Sequence, residues 1–130
     1  MSQMLKQSLL IFLGSGAGGV VRLLLNNFIT GLAGGGFPWG ILTINVSGST
    51  GIGLVAGWFA FRGDAGGDMR LFLATGILGG FTTFSAFSLD ATLLYERGQP
   101  GLAALYVVAS VLLSLIGLAA ALWAVRWATA

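Results

Sequence analysis

The chain has 130 residues, of which 56% are hydrophobic and only 8% are charged, and its formal net charge is +2. A soluble domain usually carries about a quarter charged residues, so this composition excludes an ordinary water-soluble domain and favours the lipid bilayer as solvent. The sequence contains no Cys and no His, which excludes disulfides, thiolate metal sites and imidazole chemistry.

The six basic residues are scattered singly and form no run or stripe, which argues against binding to nucleic acid. They are typical instead of anchors that flank membrane spans. They are Lys6, Arg22, Arg62, Arg70, Arg97 and Arg126. An even number of spans places both termini on one side of the membrane. That side carries four of the six basic residues, which predicts cytoplasmic termini.

Long windows without charge locate four predicted transmembrane helices, because a spanning helix needs about 20 mostly apolar residues. We place these helices at about 6–30, 39–61, 69–95 and 101–126 of a single membrane domain. The connectors at 34–38, 62–68 and 98–100 are short and contain Gly or Pro. The sequence therefore predicts an all-α membrane protein whose consecutive helices are antiparallel neighbours.

Small residues recur at a spacing of four in the first two predicted helices. Gly14 and Gly18 form such a pair in helix one, and Gly53 and Gly57 form one in helix two. This spacing puts the small residues on one helix face, where they let two backbones approach closely in lipid. The glycines therefore predict tight helix packing.

Helix two also contains Asn45 within an otherwise apolar stretch. A full amide in hydrocarbon needs hydrogen-bond partners, so such a residue usually faces a bundle interior or a water-filled cavity. We therefore treat Asn45 as a candidate functional residue.

Helix three is predicted to be broken near its middle at residues 79–83, which read Gly-Gly-Phe-Thr-Thr and are poor helix formers. Backbone groups freed at membrane depth are costly unless neighbours, water or ions satisfy them. Unwound carbonyls are good ligands for a small hard cation. The helix that restarts beyond the break points its N–H groups at the same region and favours an anion.

Phe84 and Phe87 are three residues apart, which places both on one face of the restarted helix. Ser85 and Ser88 lie beside them, and Asn45 is placed to face them from helix two. Aromatic rings are positive at their edges, so ring edges, hydroxyls and an amide would make an uncharged lining suited to a passing anion. In helix four, Tyr106, Ser110 and Ser114 recur every four residues and form one stripe.

Residues 79–87, Gly-Gly-Phe-Thr-Thr-Phe-Ser-Ala-Phe, closely resemble the signature of the Fluc (CrcB) family of fluoride channels. Asn45 with Gly48, the glycine-rich run 14–22 and the stripe in helix four fit the same family, and the resemblance covers the whole chain. It implies a passive channel that exports fluoride from the cytoplasm across the bacterial inner membrane and relieves fluoride toxicity. It also implies an antiparallel, dual-topology homodimer with two pores.

The resemblance further implies roles for single residues. Phe84 and Phe87 would line the pores, and Asn45 would donate to the ion. The hydroxyl groups of the pathway would come from Thr83, Ser85, Tyr106, Ser110 and Ser114.

The resemblance also implies a structural sodium ion on the two-fold axis, held by the carbonyls of Gly79 and Thr82 from both subunits. Arg22 would be structural or lie at a pore mouth. The implied partners are fluoride, sodium, the lipid bilayer and a second copy of the chain. A dimer agrees with the size of the chain, since four short helices can hardly enclose a wet pathway alone.

Three other functional classes compete with a channel. A small four-helix proton-coupled exporter should carry a membrane-embedded acid, and Asp90, late in helix three, is the candidate for that role. A purely structural subunit would conduct no ions. An enzyme is excluded, because the sequence has no His, no Cys and no paired intramembrane carboxylates to act as base, metal ligand or nucleophile.

Overall fold

The computed structural model describes residues 1–62 and 67–130, and every regular element in these ranges is helical. Helix α1 is Gln3–Ala33 and α2 is Trp39–Phe61. The third span is divided into α3, residues 68–81, and α4, Phe84–Glu96, and α5 is Pro100–Thr129. Residues 63–66, in the predicted second connector, lie outside the described ranges.

Within the described residues, four helical spans are long and apolar enough to cross a membrane, which confirms the predicted number of transmembrane helices. The bounds of these spans are Gln3–Ala33, Trp39–Phe61, Asp68–Glu96 and Pro100–Thr129. Helix α1 extends three residues beyond its predicted window at each end, and α5 extends one residue before its window and three after it. The local sequence favours the start of each helix. The Ser2 hydroxyl accepts a hydrogen bond from the Leu5 N–H at 3.2 Å, and Pro100 begins α5, where its missing N–H is harmless.

Glycines hold α1 against α3 with the two backbones nearly in contact. A Cβ added to Gly14 would lie 2.8 Å from the Cα of Gly76. One turn further on, a Cβ on Gly18 would overlap the α3 backbone, and a Cβ on Gly80 would overlap the backbone of Ser15. The small-residue spacing therefore acts in packing, as the sequence predicts.

A second glycine contact joins α2 to α5. A Cβ on Gly53 would lie 2.9 Å from the Cβ of Ala121, and a Cβ on Gly57 would lie 3.1 Å from the Cβ of Val125. Residue numbers increase together along both helices, so α2 and α5 are parallel. The closest packing is thus between alternate spans, as expected when consecutive spans run antiparallel.

Most of α3 is a π-helix, Leu71–Leu78, which the sequence analysis does not predict. The N–H of Gly79 donates to the carbonyl of Ala74, five residues earlier. The hydroxyl of Ser15 donates to the carbonyl of Gly76 at 3.4 Å, so α1 satisfies one acceptor of the widened turn. π-Turns are rare and often occur beside functional sites, and this one leads directly into Thr82 and Thr83.

The buried core is small and lies where α2, α4 and α5 meet. Its buried members are Ile41, Leu42, Ile44, Phe87, Leu94, Ala103 and Tyr106. Large apolar side chains cover the outside instead, such as Phe12, which is 74% exposed. Such a surface suits lipid and not water, so the chain is a multi-pass membrane protein.

The α1–α3 contact predicts opposite effects for two glycines two residues apart. Gly18→Ala should destabilise the protein by about 1–3 kcal/mol, because the new methyl overlaps the α3 backbone. Gly16→Ala is the matched control: a Cβ there meets nothing within 4 Å, and Ala is the better helix former. The thermal unfolding midpoint in detergent should fall only for Gly18→Ala. Equal midpoints for the two variants would contradict this account of the packing.

Candidate functional site

The third span changes conformation at two consecutive threonines. Thr82 has φ −81° and ψ 155°, and Thr83 has φ −153° and ψ 119°, so both are extended between the helical residues Phe81 and Phe84. The Thr83 hydroxyl accepts a hydrogen bond from the Ala86 N–H at 3.1 Å and caps α4. The extended pair therefore lies between a helix end and a capped helix start.

The amide of Asn45 satisfies the backbone of the extended pair. Its Nδ2 donates to the carbonyl of Thr83 at 2.9 Å, and its Oδ1 accepts from the N–H of Thr83 at 2.8 Å. We call this two-bond contact the Asn45–Thr83 clamp. A single side chain thus supplies the donor and the acceptor that a helix would otherwise supply, which explains an amide inside a span.

The clamp changes what the neighbouring carbonyls can bind. Since the Thr83 N–H points at Asn45, the Gly79 carbonyl does not receive the helical bond from that group. The Thr82 carbonyl accepts a hydrogen bond from Nη1 of Arg22 at 3.2 Å. Arg22 lies well inside α1 and not at its end, so its guanidinium group lies within the membrane-spanning part of the helix.

A cavity of about 320 Å³ lies beside the extended pair, and we call it the Phe cavity. It brings together seven residues that the sequence analysis singled out for the pathway or the cation site. These residues are Asn45, Thr82, Thr83, Phe84, Phe87, Ser110 and Ser114. Three different helices, α2, α4 and α5, supply side chains to its wall.

Aromatic rings run from the Phe cavity into the core. The ring centroids of Phe84 and Phe87 are 5.4 Å apart, and those of Phe87 and Tyr106 are 5.3 Å apart. Phe37 meets Tyr106 edge-on at 5.6 Å. Phe87 is buried, whereas Phe84 is 79% exposed, so one ring is fixed by packing and the other lies on the surface of the single chain.

The hydroxyl of Ser110 is buried at the wall of the Phe cavity. Within residues 1–62 and 67–130, its Oγ has no hydrogen-bond partner, and the residue is only 6% exposed. An unpaired buried hydroxyl costs about 1–3 kcal/mol, so a polar occupant of the cavity would recover a hydrogen bond there.

Two of the predicted pathway residues lie away from this cavity. The Tyr106 side chain is fully buried, and its hydroxyl donates to Oδ2 of Asp90 at 3.4 Å. Ser85 is exposed, and its Oγ lies 3.1 Å from Oγ1 of Thr83, with which it shares a hydrogen bond. Ser85 instead lines a second cavity of about 470 Å³ together with Arg22.

The sequence analysis did not identify every polar residue at these cavities. Ser49 lines the Phe cavity, and Asn26 lines the cavity beside Arg22. Asn26 is an amide within α1, so the argument that singled out Asn45 would have found it as well. Ser49 has no such signal, since a lone Ser in a span usually bonds to its own helix.

Comparison with known proteins agrees with this geometry. The profile of the family described as "CrcB-like protein, Camphor Resistance (CrcB)" matches residues 9–122. A protein of Nitrobacter hamburgensis named "Fluoride-specific ion channel FluC 2" is 55% identical over 121 residues, 93% of this chain and 98% of its own. Proteins named "Fluoride-specific ion channel FluC" from Rhodopseudomonas palustris (strain BisB5) and Agrobacterium fabrum are 57% and 50% identical, over 91% and 87% of this chain and 95% and 90% of their own.

These relatives are named for a channel and not for an enzyme, in agreement with the prediction that the chain is not an enzyme. The family profile covers most of the chain, and the relatives share about half of their residues with it across nearly its full length. The chain belongs to the CrcB-like family.

Proposed function

We propose that this chain is a fluoride-selective channel of the bacterial inner membrane that passively exports fluoride from the cytoplasm and so relieves fluoride toxicity. Its relatives are named as fluoride-specific ion channels, and this supports the choice of ion. The observation that carries the pathway is the unpaired Ser110 hydroxyl at the wall of the Phe cavity. It marks a place in the span where a hydrated or partly dehydrated ion would gain a hydrogen bond.

The lining of the Phe cavity is uncharged and rich in weak positive edges and donors. Phe84 and Phe87 would turn ring edges toward the anion, and Ser110 and Ser114 would donate to it from α5. One N–H of the Asn45 amide is used by Thr83, which leaves the second for the ion. Such groups bind an anion weakly enough for it to move on, as conduction requires.

The single chain leaves this pathway open on one side. Phe84 is 79% exposed, and the exposed hydroxyl of Ser85 lies in the third span beside the extended pair. Polar groups at that depth need cover by protein or water. A second copy related by a two-fold axis in the membrane plane would supply it, so we propose an antiparallel, dual-topology homodimer with two pores.

The residues present fit the proposed structural sodium ion. The Gly79 carbonyl is free of the bond from the Thr83 N–H, and the Thr82 carbonyl keeps a second lone pair beside its bond to Arg22. Carbonyl oxygens suit a hard cation. Two copies of the chain would offer four such carbonyls, and the bound ion would tie the two extended pairs together.

Fluoride efflux from liposomes tests the proposal directly. Wild-type protein should release fluoride much faster than chloride. Phe84→Ile and Phe87→Ile should each slow fluoride efflux at least about tenfold, since each removes one edge of the lining, a loss of roughly 1.4 kcal/mol or more. Phe12→Ile is the matched control, because Phe12 is an exposed ring on α1. Chemical cross-linking should show that all three variants remain dimers.

Two outcomes would contradict the proposal. If wild-type protein passed chloride as fast as fluoride, the channel would not be selective for fluoride. Loss of transport in Asp90→Asn with full transport in Phe84→Ile would favour the proton-coupled exporter, in which Asp90 carries the proton. The bond from the Tyr106 hydroxyl to Asp90 agrees better with a packing role for this acid.

Ser110→Ala separates function from stability. Because the hydroxyl is buried without a partner, its removal should leave the unfolding midpoint unchanged or raise it by the equivalent of about 1 kcal/mol. Fluoride efflux should nevertheless fall, since the ion loses a donor. Thr92→Val is the control, because the Thr92 hydroxyl donates to the Ser88 carbonyl of its own helix and Thr92 does not line the Phe cavity. Unchanged efflux in Ser110→Ala would remove this residue from the pathway.

Removal of sodium tests the structural ion. Protein purified and reconstituted throughout in potassium salts should conduct less fluoride and dissociate more readily into monomers, because the ion proposed to tie the two extended pairs together would be absent. Return of sodium to the same sample should restore both properties. Equal conductance and equal dimer stability in the two salts would show that Gly79 and Thr82 hold no sodium.

A further inference from the structure

Tryptophan and arginine gather at one end of the parallel pair α2 and α5. The contacts of Gly53 with Ala121 and of Gly57 with Val125 set the two helices side by side, so their C-terminal ends lie together. This end carries what we call the Trp–Arg cluster, which consists of Trp58, Arg62, Trp123, Arg126 and Trp127.

A groove of about 310 Å³ opens at Arg126. Trp123 and Trp127 line it with Arg126, and their ring centroids are 5.4 Å apart at 63°. Both indoles are more than 60% exposed, and Arg126 is exposed as well. The groove therefore presents a guanidinium beside a pair of contacting rings, and indoles prefer the boundary between headgroups and acyl chains.

Arg62 adds a second fixed cation at this end. Its guanidinium carbon lies 4.0 Å from the centroid of the Trp58 ring. Stacking on an indole holds the guanidinium plane and leaves its edge N–H groups free to donate.

The positive charge of the cluster is not neutralised within the described chain. In residues 1–62 and 67–130, no carboxylate forms an ion pair with Arg62 or Arg126. Asp68, an acid at the same end, pairs with Lys6, and Asp64 lies outside the described ranges. Within the described residues, the two cations therefore reach this end of the bundle with no carboxylate paired to either of them.

We infer that the Trp–Arg cluster binds the phosphate group of an anionic phospholipid. A guanidinium edge matches phosphate oxygens in a two-bond arrangement, and the flanking indoles would pack on the glycerol and the upper acyl chains. A zwitterionic headgroup brings its own ammonium or choline charge toward the two arginines, which lowers its affinity. The occupant is therefore a lipid with net negative charge, such as phosphatidylglycerol. The inference does not depend on the proposed function.

Quenching of tryptophan fluorescence by brominated lipids tests this site. Trp39 lies at the opposite end of α2, so a Trp39→Phe background confines the signal to the Trp–Arg cluster. Vesicles of brominated phosphatidylglycerol mixed with phosphatidylcholine, and the reverse labelling, give the relative affinity for the two lipids. We expect a preference for phosphatidylglycerol that falls about fivefold for Arg126→Gln and again for Arg62→Gln. Arg97→Gln, at the other end of the bundle, is the matched control and should leave the preference within about twofold.

Salt gives a second measurement that needs no substitution at the site. The preference should shrink as ionic strength rises, because the arginines are exposed. Equal affinity of the background protein for the two lipids would overturn the inference. So would an Arg97→Gln effect as large as that of Arg126→Gln, since the preference would then reflect net charge and not this groove. Fluoride efflux is measured separately, so failure of one proposal does not imply failure of the other.

Discussion

The Asn45–Thr83 clamp is the interaction on which the rest of the site depends. Two extended residues at membrane depth expose donors and acceptors that lipid cannot satisfy, at a cost of several kcal/mol each. One amide, held on a neighbouring helix, takes up the N–H and the carbonyl of Thr83. These two hydrogen bonds offset the cost of placing the extended pair in the bilayer. Helix α4 restarts directly after the pair, with Phe84 and Phe87 in its first turn.

The clamp in turn requires close helix packing. Asn45 reaches Thr83 only because α2 lies against the third span, and Gly48, one turn after Asn45, leaves room for the methyl group of Thr82. On the other side, the contact of Gly80 with the Ser15 backbone fixes α3 against α1 just before the extended pair. The hydrogen bonds of Asn45 therefore depend on the glycine packing, since bulkier residues at the glycine positions would move the amide out of hydrogen-bond range.

The features that follow from local sequence could be predicted, and those that follow from packing could not. Charge-free windows give four spans, because the bilayer sets their length and composition. Residue spacing places Phe84 and Phe87 together, because helix geometry fixes which residues share a face. The π-helix in α3 and the bond from Arg22 to the Thr82 carbonyl depend on how α1 and α3 meet, and neither has a local signal. The same holds for Tyr106, whose hydroxyl turns to Asp90 and not to the Phe cavity.

The placement of charge explains how such a site could attract an anion without trapping it. A fixed cation about 4 Å from the ion would bind it by about 4 kcal/mol at an effective dielectric constant of about 20, roughly a thousandfold in residence time. Each neutral hydrogen bond contributes only about 1 kcal/mol. Arg22, the basic residue nearest the extended pair, bonds to the Thr82 carbonyl and lines the second cavity, so its charge stays outside the Phe cavity. Its field would favour an anion in this part of the bilayer, while contact with the ion would be left to rings, hydroxyls and one amide.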